Sequence, residues 1–114
     1  MTDCLFCKMI SGEIMPDTVY EDDDVLAFRD INPQAPTHVL VVPKQHVPTL
    51  NDLDAESAAL VGKMMLAAVR IARQEGFAEQ GYRTVMNCND HGGQTVFHIH
   101  LHLLGGRVMS WPPG

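Results

Sequence analysis

The sequence predicts an α+β fold, with an antiparallel sheet accompanied by one long helix and one short helix. Residues 97–103 alternate with the strict period of two that is typical of a strand. Residues 55–75 carry apolar side chains at helical spacing. The other strand patterns lack the regular strand–helix alternation of a parallel sheet. At 114 residues, the chain has the length of one domain, so residues 1–114 are predicted to form a single unit.

The N-terminal third predicts a short helix followed by a hairpin. Asp3 is a plausible cap for the helix, which ends near Gly12 and carries four apolar residues: Leu5, Phe6, Met9 and Ile10. Two strands follow, over 18–21 and 25–29. The acidic run 22–24 between them is typical of a solvated hairpin tip.

The middle of the chain predicts a loop, a buried strand and the long helix. Prolines at 33 and 36 indicate the loop, and residues 38–42 form an apolar strand that stops at Pro43. Asp54 is the predicted N-cap of the helix over 55–75, and Gly76 is its left-handed C-terminal residue. The apolar stripe, interpreted as core rather than as a binding surface, comprises Leu60, Val61, Met64, Met65, Ala68, Ile71 and Ala72.

The C-terminal third predicts two more strands, over 82–87 and 96–104. In the second strand the apolar face comprises Phe97, Ile99, Leu101 and Leu103, so the imidazoles of His98, His100 and His102 share the opposite face. Three imidazoles in a row are not explained by packing. They predict a functional site.

Composition excludes several classes of protein. The net charge is −6, without a dense Lys/Arg cluster, which argues against a nucleic-acid polymer as the partner. Neither a membrane-spanning run nor a signal peptide is recognised, so we expect a cytoplasmic protein that does not bind a membrane. In that compartment the Cys4-x-x-Cys7 pair is interpreted as reduced thiols or metal ligands rather than as a disulfide.

Residues 92–95, Gly-Gly-Gln-Thr, lead directly into the histidine strand. Glycines allow close approach of backbone N–H groups to an anion, and the Thr95 hydroxyl adds a further donor. A plain turn would be the simpler interpretation of this segment alone. Beside three imidazoles, however, anion donors indicate nucleophilic attack on phosphorus.

These residues resemble the histidine-triad superfamily, and within it the Hint branch of nucleotide-binding proteins. The resemblance covers nearly the whole chain and rests on the segments 28–38, 42–44, 92–94, 98–104, 105–107 and 111–114. It implies a HIT-like fold and an adenosine 5′-monophosphoramidase-type hydrolase. Such an enzyme cleaves the P–N bond of purine nucleoside 5′-phosphoramidates, including AMP-NH₂ and AMP-lysine, and releases AMP through a covalent nucleotidyl-histidine.

The resemblance also implies residue roles. His100 matches the nucleophile, His102 a contact to the phosphoryl oxygens, and His98 and His38 the imidazoles that orient the nucleophile. Asp30 matches the position that binds the ribose. The matching phosphate positions are Asn87, Gly93, Gln94, Thr95 and Val96, and the apolar slot for the base comprises Leu5, Phe6, Met9, Phe28, Ile31 and Leu40. No cofactor is required for the chemistry.

Some members of the superfamily bind zinc through a Cys-x-x-Cys pair and two histidines. The matching positions here are Cys4, Cys7, His46 and His98, which suit a tetrahedral structural zinc site. The alternative is that the two cysteines pack as small hydrophobic residues. Cys88 is interpreted as structural and His91 as a surface residue.

In the Hint branch the C-terminal tail, here 105–114, docks at the interface of a two-fold dimer. We therefore expect a homodimer whose sheets join across the two-fold axis, with Trp111 near the partner's site. Two other functions stay open. One is a zinc-binding interaction module without turnover, and the other is a dinucleotide polyphosphate hydrolase, which the Trp-Pro-Pro-Gly ending disfavours.

Overall fold

The computed structural model describes residues 3–114, and its fold is the predicted α+β class. The strands are β1 (Thr18–Glu21), β2 (Val25–Arg29), β3 (Thr37–Pro43), β4 (Tyr82–Val85) and β5 (Leu101–Gly105). The helices are α1 (Leu5–Ile10), α2 (Ala58–Glu75) and α3 (Asn89–Gly92), with 3₁₀ turns at Leu50–Asp52 and Ala55–Ser57. The sheet has the order β1-β2-β3-β5-β4, and every neighbouring pair is antiparallel.

Helix α2 covers one face of the sheet. Its buried residues are Met64, Ala67, Ala68, Ile71 and Ala72, which pack with Val39, Val41, Leu101 and Leu103 in one core cluster. The predicted stripe is wrong at one residue. Met65 is 41% exposed, and Ala67, which is not in the predicted stripe, is buried. The helix has 18 residues and ends at Gly76, which adopts the expected left-handed conformation with φ of 88°.

Helix α1 covers the opposite face over β2 and β3. Phe6 packs there with Leu26, Phe28, Leu40 and Val42. These two strands are therefore covered on both faces, which explains why their sequences are continuously apolar rather than alternating.

The predicted helix caps differ in detail from those observed. Cys4, not Asp3, is the N-cap of α1, and its Sγ accepts a hydrogen bond from the Cys7 N–H at 3.3 Å. Asp54 caps the 3₁₀ turn at Ala55–Ser57, so the regular helix begins three residues later than expected. In both cases the side chain nearest the first free N–H groups takes the capping role.

The strand predicted over 96–104 is regular only from Leu101. Its partner β3 ends at Pro43, which has no N–H to extend the ladder. Residues 96–100 are irregular instead, with the Ile99 N–H donating to the Val47 carbonyl at 2.8 Å. Phe97 consequently lies outside the alternation and is 50% exposed rather than buried.

Two smaller differences concern the segment before β5. Strand β4 ends at residue 85 rather than 87, and the short helix α3 occupies Asn89–Gly92, where the sequence analysis predicts no helix. Within residues 3–114, none of the helices has the length and apolarity needed to cross a bilayer.

We expect Gly105→Ala to destabilise the fold. A Cβ at this position would lie 2.5 Å from the ring of Phe77, which is itself buried, so either the ring or the strand must move. Overpacking of this kind costs about 1–3 kcal/mol. The matched control is Gly62→Ala in α2, where a Cβ meets nothing within 4 Å and helix propensity predicts a gain of about 1 kcal/mol. Urea denaturation checks both. Equal stability of the two variants would contradict the packing argument.

Candidate active site

A cavity of about 290 Å³ lies between α1, the α1-facing side of the sheet and residues 95–96. Its walls are mostly apolar, and the polar part of the lining consists of two imidazoles, a carboxylate, a guanidinium and a hydroxyl residue. The lining residues are Leu5, Phe6, Met9, Phe28, Arg29, Asp30, Ile31, Leu40, Thr95, Val96, His100 and His102. A larger depression of about 630 Å³ between β4 and the tail contains no histidine, so the smaller cavity is the candidate active site.

Strand register brings the apolar wall to the histidines. Phe28 pairs with Leu40 across β2 and β3, and Leu40 pairs with His102 across β3 and β5. Paired residues of neighbouring strands project to the same face of a sheet. One row across three strands therefore ends on an imidazole.

The three triad imidazoles do not share one cavity. His100 and His102 line the pocket, with ring centroids 5.1 Å apart, whereas the His98 ring is fully buried and does not line it. Phe6 separates the two environments: its ring contacts His98 and His100 edge-on, at 5.9 and 5.1 Å between centroids. The expectation of a common face holds only in the sense that all three rings lie on the α1 side.

Hydrogen bonding fixes which nitrogen of His100 is available. Its Nδ1 lies 2.8 Å from the His98 carbonyl oxygen, which can only accept, so Nδ1 carries the hydrogen. In the neutral ring the lone pair is then on Nε2. His100 is thus a buried imidazole poised as a nucleophile or base through Nε2.

A chain of hydrogen bonds fixes the opposite tautomer in His102. The Gln34 N–H donates to His38 Nδ1 at 3.0 Å, so the hydrogen of neutral His38 is on Nε2. That hydrogen is donated to His102 Nδ1 at 2.9 Å, which leaves the hydrogen of His102 on Nε2. A nitrogen lone pair on His100 and an N–H donor on His102 therefore stand side by side.

The pKa values agree with neutral rings. Burial, with smaller contributions from His100 and His38, lowers the pKa of His102 from 6.5 to about 4. Burial likewise lowers the pKa of His38, although the Asp30 carboxylate, 3.4 Å from its Nε2, opposes the shift. Asp30, His38 and His102 are close enough to bind a metal. The hydrogen bond between the His38 and His102 rings indicates instead a network that orients His102.

A second cluster brings the four predicted metal-ligating residues together. His98 Nε2 donates to the Pro43 carbonyl at 2.7 Å, so the Nδ1 lone pair faces the cluster. That Nδ1 lies 3.3 Å from Cys4 Sγ, 3.5 Å from Cys7 Sγ and 3.1 Å from His46 Nδ1, and Cys7 Sγ lies 3.3 Å from His46 Nδ1.

These distances match the edges of a metal-centred tetrahedron. With Zn–N near 2.0 Å and Zn–S near 2.3 Å, tetrahedral geometry separates ligand atoms by roughly 3.3–3.8 Å. Burial, together with the hydrogen bond and charge of Cys4, raises the pKa of Cys7 to about 11, so a second thiolate is disfavoured without a nearby cation. A divalent cation removes this penalty. The donor set therefore fits zinc.

The residues predicted for phosphate separate into two groups. Thr95 and Val96 line the cavity, and among residues 3–114 their backbone N–H groups have no hydrogen-bond acceptor. Asn87, Gly93 and Gln94 do not line it. The buried Gln94 amide accepts from the Asn89 N–H and donates to the Pro48 and Val96 carbonyls. Gln94 therefore braces the loop through its side chain.

At the mouth of the cavity, Ile31 is fully exposed. Sequence reasoning missed Arg29 as a lining residue, but its guanidinium is held by Glu75 of α2 at 3.1 Å. It also missed the Gln34 N–H and the Pro43 carbonyl, which set the tautomers. Both are backbone groups, so residue type gives no signal for them. Cys88 is half-buried and His91 is exposed.

Comparison with known proteins now adds to this geometry. The HIT domain family matches residues 11–109. The chain belongs to this family. It is 57% identical over 106 residues to an Escherichia coli protein named purine nucleoside phosphoramidase, covering 93% of this chain and 89% of the relative. The resemblance read from the sequence is confirmed.

Solved HIT structures share the fold. A HIT family hydrolase from Legionella pneumophila superposes with a TM-score of 0.97 at 54% identity, covering 98% of this chain and all of that one. A zinc-bound histidine triad family protein from Mycobacterium smegmatis has a TM-score of 0.78 at 34% identity, covering 92% of this chain and 76% of that one.

We expect His102 to make the protein less stable in acid. Its pKa is about 4 in the folded state, against the ordinary histidine value of 6.5 in the unfolded chain, so the unfolded state binds more protons between these values. The free energy of unfolding should therefore fall as the pH falls from about 6.5 to about 4, with roughly 1–3 kcal/mol due to this residue. His102→Gln should flatten the dependence in urea titrations at equal metal loading. An unchanged slope in that variant would contradict the assignment.

Proposed function

We propose that this chain hydrolyses the P–N bond of purine nucleoside 5′-phosphoramidates through a nucleotidyl-histidine on His100. The observation that carries the proposal is the His100 tautomer, whose Nδ1–H is committed to the His98 carbonyl and whose Nε2 is left to attack. The relative named purine nucleoside phosphoramidase supports the choice of substrate class. The pocket places His100 Nε2 next to an apolar slot that can hold a nucleoside.

The chemistry divides into two displacements at phosphorus. His100 Nε2 attacks the α-phosphorus, the P–N bond breaks, and the nitrogen leaves as an amine after taking up one proton. Water then attacks the nucleotidyl-His100, releasing AMP and restoring the ring. His102 Nε2–H and the N–H groups of Thr95 and Val96 are the donors for the charged phosphoryl oxygens. No cofactor takes part in this chemistry.

The nucleoside occupies the apolar part of the pocket. Phe6, Phe28 and Leu40 are buried and offer flat or aliphatic surface to a purine, with Leu5, Met9 and Ile31 completing the slot. Asp30 lines the same cavity, and its carboxylate is the natural acceptor for ribose hydroxyls. Gln94 supports the segment 95–96 from outside the cavity through its hydrogen bonds to Asn89, Pro48 and Val96, and Asn87 and Gly93 also lie outside the cavity lining.

We also propose that Cys4, Cys7, His46 and His98 hold a structural zinc ion. The ion would cross-link α1 to the loop containing His46 and to the segment before β5. Because His100 and His102 are not in this ligand set, zinc binding leaves the nucleophile free. That separation favours an enzyme over a zinc-binding module without turnover.

We also propose a two-fold homodimer with the tail 105–114 at its interface. The proposed ligand is a purine nucleotide, and the proposed location of the enzyme is the cytoplasm. Strand β4 is at the edge of the sheet, where an unpaired strand requires cover. Val108 and Trp111 in the tail are 93% and 80% exposed, and the Arg83 guanidinium lies 5.7 Å from the Trp111 ring. Burial against a second copy would cover this apolar surface.

We expect His100→Ala to reduce release of AMP from adenosine 5′-phosphoramidate by at least about 10³-fold, since the covalent route is lost. Quenched wild-type enzyme should carry one AMP on the peptide containing His100, detected by mass spectrometry. His91→Ala, which removes an exposed imidazole outside the pocket, is the matched control and should retain full activity. Undiminished turnover by a folded His100→Ala protein would exclude His100 as the nucleophile.

We expect about one zinc ion for each chain in protein purified without chelators. Cys7→Ser should lower this content, because the variant removes a thiolate ligand, whereas Cys88→Ser should not, because Cys88 lies outside the cluster. Elemental analysis by mass spectrometry measures both. Wild-type protein that is expressed in medium containing zinc, and is purified without a chelator but holds no zinc, would refute the site.

A further inference from the structure

Helix α1 has only six residues, which is too short to be stable on its own. It nevertheless supplies three residues that line the nucleotide pocket: Leu5, Phe6 and Met9. Two kinds of contact attach it to the rest of the protein. One is apolar packing, by the buried ring of Phe6 and the partly buried Met9 and Ile10. The other is the pair Cys4 and Cys7 at its start, which faces His98. The position of the pocket wall therefore depends in part on the cluster of Cys4, Cys7, His46 and His98.

Only one layer of residues separates the cluster of Cys4, Cys7, His46 and His98 from the nucleotide pocket. A second cavity, of about 400 Å³, is lined by Cys4 and His46 from the cluster. It shares Leu5, Thr95 and Val96 with the nucleotide pocket. His46 is exposed, so the cluster is reached by solvent from this side. A change at the cluster is thus transmitted across one layer of residues.

Two contacts connect the cluster with the nucleophile itself. The His98 ring offers Nδ1 to the cluster while the carbonyl of the same residue accepts the hydrogen bond of His100. Phe6, two positions from Cys4 and next to Cys7, touches the rings of both His98 and His100. Displacement of α1 would therefore alter the base slot and the nucleophile together.

From this arrangement we infer that Cys4, Cys7 and His46 are positioning residues for nucleotide binding, and that metal in their cluster and nucleotide in the pocket stabilise each other. The inference rests on the proposed function for the identity of the nucleotide, but not on hydrolysis. Loss of metal loosens α1 and the segment before β5, and the pocket then binds nucleotide more weakly. Bound nucleotide, in return, holds the ligands in place for the metal.

Such coupling is reciprocal, and this makes it measurable without turnover. The zinc affinity, determined by competition with a chromogenic chelator, should rise about tenfold when AMP is saturating. The AMP affinity, determined by calorimetry, should fall by the same factor when zinc is removed. AMP that binds without changing the zinc affinity would overturn the inference while leaving the proposed function intact. Failure of AMP to bind the zinc-loaded protein at all would overturn both.

Hydrogen exchange separates positioning from general stabilisation. In metal-free protein, faster exchange should be confined to residues 4–10 and 95–100, with α2 and the strands still protected. Faster exchange throughout the chain would mean that metal merely holds the fold together, and would overturn the positioning role.

Phe6→Leu tests the connecting side chain, because it keeps all four ligands and removes the ring that touches both imidazoles. The coupling factor should shrink in this variant. Lys8→Ala is the matched control, since Lys8 is on α1 but neither lines the pocket nor belongs to the cluster. Its coupling should equal that of the wild type, and a coupling lost equally in both variants would contradict the proposed path.

Discussion

The rest of the site depends on one hydrogen bond, from Nε2 of the buried His98 to the Pro43 carbonyl at 2.7 Å. A fully buried imidazole needs partners for both nitrogens, because an unmet polar atom in the interior costs about 1–3 kcal/mol. With Nε2 satisfied by a group that only accepts, the other nitrogen has a lone pair. Its partners are then a donor or a cation, and sulfur atoms of two cysteines with a second imidazole nitrogen surround it.

Hydrogen bonds to backbone groups likewise set the tautomers of the other imidazoles. A backbone carbonyl accepts the Nδ1 hydrogen of His100. A backbone N–H donates to Nδ1 of His38, and the Nε2–H of His38 in turn donates to Nδ1 of His102, so His102 has the tautomer opposite to that of His100. Neighbouring rings of identical chemistry are thereby a nucleophile and a hydrogen-bond donor. Charge is not needed for this distinction, since burial lowers the pKa of His38 and His102.

The sequence carried enough information for the fold class and for the residue types at the site. Helical spacing over 55–75 and the double-faced apolar runs of β2 and β3 are local signals, and the structure confirms the elements that they predict. The roles of individual nitrogens were out of reach, because the Gln34 N–H and the Pro43 carbonyl are present in any sequence. The separation of His98 from the pocket was also missed. It depends on where β3 ends and on the insertion of Phe6 between rings that are distant from it along the chain.

The relative strength of the two attachments of α1 decides which of them governs the pocket. Complete burial of one phenylalanine side chain stabilises a fold by about 2–3 kcal/mol. Fixing the backbone of six residues costs about 1–2 kcal/mol for each of them, so Phe6 alone does not hold the helix, and Met9 and Ile10 pack beside it against the same core cluster. A structural zinc ion with two thiolates contributes on the order of 10 kcal/mol. Apolar packing therefore selects which face of α1 meets the sheet, and a metal ion in the proposed cluster would add further free energy that keeps it there.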